Sequence, residues 1–212
     1  MAAFDENRPC KRAFRPPSSD CVAIALLATI CTLQVLCTVA WTTDPAEDAA
    51  MLIRYAQHLA QGHGIVYNID EPPVDGATDF LYLMILAGLI KLGLAAHHAC
   101  IALGSLAHIM TVLVVYIANR HVHRSSTTAA FVSAGYLALG PGLSYTEASF
   151  GTTVFTFFLA LMWWGALLLL SGRATRPCEI GFACSGLLAG LTRPEGVIVS
   201  GFILLAVVLS CG

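Results

Sequence analysis

A carboxylate set in an apolar stripe is the first sign of chemistry in this chain. At helical spacing Asp48 lines up with Met51, Leu52, Tyr55 and Leu59, so one face of the predicted helix is apolar except for this acid. A carboxylate in such a place must be solvated by partners other than bulk water, or its proton affinity rises. Two readings remain open. Asp48 is an acid favoured by the dipole of a helix N-terminus, or it is a general base or metal ligand in a cleft at a membrane boundary. Glu47 has a local explanation. With Asp44 as N-cap and Pro45 at the first helical position, Glu47 falls where a capping-box acid belongs. Arg54 lies on the polar face, placed to contact Glu47 or an anionic ligand.

The segment after this helix is rich in turn residues. Gly62-His63-Gly64 reads as a helix stop, with His63 also able to donate to a phosphate. Asn68 and Asp70-Glu71-Pro72-Pro73 carry turn chemistry, and Thr78 is the predicted N-cap of the next apolar stretch. A second cluster, Thr192-Arg193-Pro194-Glu195-Gly196, interrupts a hairpin of apolar runs. It is either a solvated turn with an Arg193–Glu195 pair or an anion-binding corner in which the arginine fork holds a phosphate. His108 and the Trp163-Trp164 pair sit inside apolar spans. The indoles read as packing residues, and His108 as a hydrogen-bonding partner between helices.

The elements that must position these residues follow from composition. Of 212 residues 57% are hydrophobic and 11% charged, against roughly a quarter charged in soluble domains, which points to an all-α membrane protein. The eight cysteines lie mostly in apolar runs without metal-ligand spacing, so they read as small membrane-core residues. No nucleotide-binding loop, GxSxG or HExxH motif is present, and Asn119-Arg120-His121-Val122-His123-Arg124 reads as a basic loop, without a nucleic-acid partner.

Residues 1–19 are polar and basic and read as a cytoplasmic tail; residues 20–212 form the membrane domain. Predicted apolar segments are Cys21–Ala40, Phe80–Ile90, Ala99–Ala118, about 126–145 with a break at Pro141-Gly142, Thr152–Leu170, Ile180–Leu191 and Val197–Cys211. Roughly 20 residues cross a bilayer, so the eleven-residue Phe80–Ile90 run is expected to lie at the interface. With that run not crossing, eight of eleven Lys/Arg fall on one side and nine of thirteen Asp/Glu on the other. The positive-inside rule then makes the N-terminus cytoplasmic and the 41–97 loop extracytoplasmic. About six transmembrane helices result, with a large first loop carrying one amphipathic and one interfacial helix. The chain stops directly after an apolar run, which reads as an incomplete domain.

Several short motifs, in order, resemble one family. Glu47-Asp48-Ala49, Arg54-Tyr55-Ala56, Gly62-His63-Gly64, Asn68, Gly76, Thr78 and Phe80-Leu81, followed by Arg193-Pro194-Glu195-Gly196, resemble GT-C-type integral-membrane glycosyltransferases of the bacterial arabinofuranosyltransferase kind. The resemblance covers about 41–86 and 186–196. It departs where Glu47 replaces an aspartate, Asp79 an asparagine, and Ala148-Ser149-Phe150-Gly151-Thr152 a glutamate-bearing motif. Relatives of that kind are about twice as long. The resemblance implies a bacterial inner-membrane enzyme that transfers a sugar from a polyprenyl-phosphate donor to a glycan or lipid acceptor. Asp48 would be the base and Glu47 its companion. Arg54, His63, Arg193 and Glu195 would serve the donor phosphate, and Tyr55, Asn68 and Thr78 the substrate loop. No cofactor is required by this reading, with a divalent metal as the alternative to Arg54 and Arg193 for stabilising the leaving phosphate. The alternative is a non-catalytic membrane protein: a lipid-linked-sugar binder, an assembly subunit or an inactive remnant.

Overall fold

The computed structural model describes residues 18–42, 44–74 and 76–211. Nearly all of the expected 1–19 tail therefore lies outside the described residues. Those that are described form helices and connecting turns with no strand. The helices are α1 (Ser18–Thr38), α2 (Glu47–Gln61), α3 (Phe80–Lys91), α4 (Ala96–His121), α5 (Thr127–Ala138), α6 (Gly142–Glu147), α7 (Thr152–Leu170), α8 (Arg176–Thr192) and α9 (Glu195–Cys211).

Three of them, α1, α4 and α7, are long and apolar enough to cross a membrane. The sequence reading expected about six spans; the other apolar segments form shorter helices. The run at 126–145 does not continue as one helix: α5 stops after twelve residues at Ala138. Gly140-Pro141 then turns the chain into the six-residue α6, because proline clashes with a preceding helical residue. The hairpin after α7 is divided by Arg193-Pro194 into two helices of seventeen residues each.

Large apolar side chains are exposed along α1 (Val22, Leu26, Leu33, Leu36) and α9 (Phe202, Leu204, Leu205, Leu209). A water-soluble protein rarely leaves so continuous a surface uncovered, whereas lipid solvates it. Threonine hydroxyls on α1 and α4 bond backward to the carbonyl four residues earlier, as Thr29 does to Ala25 and Thr111 to Ala107, which satisfies those hydroxyls in an apolar setting.

The two ends of the bundle are chemically distinct. At one end Asp20 of α1 is buried and accepts hydrogen bonds from Tyr116 and Arg120 of α4 and Thr127 of α5. Arg173, beyond α7, donates to the His121 carbonyl at the same end. At the other end Val35, Val39 and Ile101 cluster with Trp41 and Leu143, and the segment between α1 and α4 leaves and rejoins the bundle there.

That segment folds down as a compact cap. Its core joins Leu52, Tyr55 and Ala56 of α2, Tyr82, Leu83 and Leu86 of α3, and Ala99, Cys100 and Ala107 of α4. Burying an aromatic ring such as Tyr55, about 1% exposed, contributes about 2–3 kcal/mol. The cap thus has an apolar reason to sit still.

Candidate functional site

The start of α2 differs from the capping-box expectation. The N-cap is Ala46 and makes no side-chain cap; Glu47 and Asp48 are the first two helical residues. The cause is tertiary. The Ala46 amide donates to the Ala148 carbonyl at 3.3 Å, tying the chain to the corner between α6 and α7 and holding Ala46 extended until the helix can begin. Asp44 and Pro45 lie outside the helix. At its other end α2 closes on left-handed Gly62 (φ 91°), whose neighbour His63 donates its amide to the His58 carbonyl, the stop expected from the sequence.

The beginning of α3 is shifted by one residue in the same way. Asp79, not Thr78, precedes the first helical residue. Asp79 is 5% exposed, and its carboxylate packs against Gly151 at the start of α7, where a Cβ would lie 2.7 Å from Oδ2. Two turns of chain meet here because the Tyr82 hydroxyl donates to the Ser149 carbonyl at 2.9 Å.

Arg193 arrives from the far side. It is extended (φ −146°, ψ 143°) after the last turn of α8, as the residue before a proline prefers to be. The turn is tight: a Cβ on Gly196 would lie 2.3 Å from the Ala189 carbonyl oxygen, so α9 can start so close to α8 only with glycine there. Arg193 Nε lies 3.6 Å from Asp79 Oδ1, with the side chains 32% and 7% exposed respectively. Its Nη1 reaches Thr152 Oγ1 at 3.5 Å. Both distances are long for charge-assisted contacts, which run nearer 2.8 Å. Arg193 Nε, although buried, makes no hydrogen bond.

These groups open onto one half-open cavity of about 290 Å³, lined by Asp48, Met51, Leu52, Gly76, Thr78, Asp79, Phe150 and Arg193. The apolar face of α2 supplies one wall, and Asp48 is exposed at its edge. Burial pushes the Asp79 carboxyl above the usual carboxylate value, and the charge of Glu195 adds to this; the Arg193 guanidinium opposes both. Asp48 and Asp79 are the carboxylates on the cavity, and among the described residues no group of three or more His, Cys, Asp or Glu could hold a metal ion.

Of the residues expected to serve a site, the fold thus brings together Asp48, Thr78 and Arg193. The others go elsewhere. Glu47 is exposed and does not line the cavity. Arg54 is exposed and does not turn to Glu47: its guanidinium stacks over Tyr67 at 4.6 Å and donates to the Tyr67 carbonyl and to Asn68 Oδ1. Asn68 in turn donates to Glu71. Tyr55 is buried, its hydroxyl bonded to the Val74 carbonyl. These three hold the 62–74 loop in shape. His63 is exposed and packs edge-on to His58. Glu195 is exposed and forms no pair with Arg193, whose acidic partner is Asp79. His108 lies across from α5, its Nε2 3.4 Å from the Ala138 carbonyl.

Asp79 was missed as a site residue. Its sequence signal was slight: a lone acid immediately before an apolar run, legible as a mere boundary. No family model, no curated protein and no solved structure matches the chain.

Proposed function

We propose that this chain is a membrane-embedded glycosyltransferase, or the part of one that holds its donor site, acting on a polyprenyl-phosphate-linked sugar. The observation that carries the reading is the shared cavity of Asp48 and Arg193, one acid and one arginine brought together from opposite ends of the sequence. A guanidinium with bonding capacity to spare suits a phosphate, and an exposed carboxylate across an apolar-walled cleft suits an acceptor hydroxyl.

In this reading the acceptor hydroxyl gives its proton to Asp48 while its oxygen bonds to the anomeric carbon. The bond from that carbon to the phosphate oxygen breaks, and the electron pair leaves on the phosphate beside Arg193. One base and one displacement give inversion. The topology that goes with it has six crossings, with α3 remaining at the interface and the 41–97 loop extracytoplasmic in a bacterial inner membrane. The acidic, cavity-bearing end of the bundle lies opposite the end that holds Arg120 and Arg173, which supports that orientation. Three surfaces are involved: the lipid, the lipid-linked donor and a glycan or lipid acceptor.

The test is transfer from a polyprenyl-phosphate sugar by the full chain in lipid nanodiscs. Asp48→Asn is expected to lower turnover by about 10²-fold or more, and Arg193→Ala to raise the donor concentration needed for half-maximal rate. Unchanged turnover in the first variant removes Asp48 as base. A chain that binds donor but never transfers it supports the non-catalytic binder instead.

A further inference from the structure

Arg193 is offered as the seat of a phosphate, yet in the structure it already faces an anion. Asp79 Oδ1 stands 3.6 Å from Arg193 Nε, too far for a hydrogen bond and close enough for strong attraction. The carboxylate is more than nine-tenths buried, and Gly151 walls it on one side. Nε itself is buried and bonded to nothing. An arginine of this kind, loosely held and open on a cavity of about 290 Å³, has bonding capacity to spare.

We propose that Asp79 is a resident counter-anion that couples ligand binding at Arg193 to proton uptake: when a phosphate takes the guanidinium, Asp79 accepts a proton and becomes neutral. This rests on the reading of Arg193 as the anion's seat. The physical reason is charge balance. Once a ligand anion is seated, two negative groups share one guanidinium within a few ångströms, and like charges that close do not both stay ionised in a partly desolvated place. Asp79 is the group that yields, because a phosphodiester holds its charge across the neutral range while a buried carboxyl does not. Its unliganded state already leans that way, since burial and the Glu195 charge raise its proton affinity.

The titratable and charged groups that face Asp79 are Arg193 at the end of α8, Glu195 at the start of α9 and Tyr82 in α3, with the Thr78 hydroxyl hydrogen-bonded to its carboxyl and Asp48 of α2 on the same cavity. Arg193 alone is positive. Binding a second anion therefore leaves the cluster overcharged unless one carboxyl takes a proton. Asp79 is the most enclosed carboxyl in that set.

The experiment titrates the full chain in nanodiscs with geranylgeranyl methyl phosphate, a prenyl phosphodiester with a constant single charge. Calorimetry in two buffers of different ionisation enthalpy counts the protons bound. The wild type is expected to take up up to one proton per ligand and to bind more weakly as pH rises. Asp79→Asn should take up none, lose the pH slope and bind at least about fivefold more tightly at neutral pH. Uptake that persists in Asp79→Asn assigns the proton elsewhere and overturns the proposal. So does a wild type with no uptake, a result that needs no variant to fold. Arg193→Ala separates the two levels: binding unchanged in that variant removes the anion site itself, whereas binding lost there with no proton uptake in the wild type removes only the role of Asp79.

Discussion

The hydroxyl of Tyr82 donates to the carbonyl of Ser149 across 67 residues of sequence, at 2.9 Å, with both groups buried. Ser149 is left-handed at φ 65°, so its carbonyl is turned out of the α6–α7 corner toward α3. This bond sets how near Asp79, one turn before Tyr82, comes to Gly151 and Arg193. Tyr82→Phe keeps the ring and removes the donor. It should lower stability by about 0.5–1.5 kcal/mol, with a weaker donor interaction as its functional trace. Thermal unfolding in detergent checks it, and an unchanged midpoint would remove the bond as a determinant of the corner.

Gly151 is open to a sharper test. Its φ of −68° suits any residue, so alanine there is free of backbone strain. The added Cβ would nevertheless lie 2.7 Å from Asp79 Oδ2 and 3.0 Å from Tyr82 Cγ. Gly151→Ala must push Asp79 away from the corner, at about 1–3 kcal/mol, the usual cost of overpacking. The expected result is lower stability together with altered ligand binding. Ser149→Ala, at the same corner without the new contact, is the control for a general effect.

The raised proton affinity of Asp79 makes a stability statement. In the unfolded chain its carboxyl titrates near 3.8; in the fold it holds its proton to higher pH. The folded state therefore binds more protons between those two values, and its stability falls as pH rises through that window. Asparagine carries no such cost. The difference in melting temperature, Asp79→Asn minus wild type, should be more favourable to the variant at pH 7 than at pH 4. The reverse trend would mean that the carboxylate is net stabilised where it sits.

At the opposite end, Asp20 is 3% exposed and has three side chains donating to it, Arg120 with two nitrogens. Arg120→Leu leaves a buried carboxylate with two neutral donors and should cost about 3 kcal/mol or more. Adding Asp20→Asn to it should recover part of that loss, because the uncompensated charge is gone. Unfolding of the single and double variants measures the difference; equal losses would show that the arginine acts by packing alone.

Composition and hydropathy were enough to read this chain as helical and membrane-bound, because apolar run length is a local property. The ends of several helices were equally legible. Gly62 stops α2 and Pro194 divides the last hairpin, since both act through their own backbone angles. Where a helix starts was less legible when a distant group decided it. Ala46 is held by Ala148, so the expected cap at Asp44 does not form. The break at Pro141-Gly142 was legible from the proline, and the structure places it between α5 and α6.

The candidate site divides along the same line. Asp48 and Arg193 could be picked from the sequence, since an acid in an apolar stripe and a charge beside a proline in a hairpin are anomalies within a few residues of each. That they share a cavity, and that Asp79 rather than Glu195 faces the arginine, depends on α3 and the α8–α9 turn docking on the start of α7. Helical period and neighbouring residues carry no information on that docking. Burial decides which carboxylate resists ionisation, and burial exists only once distant segments have closed over one another.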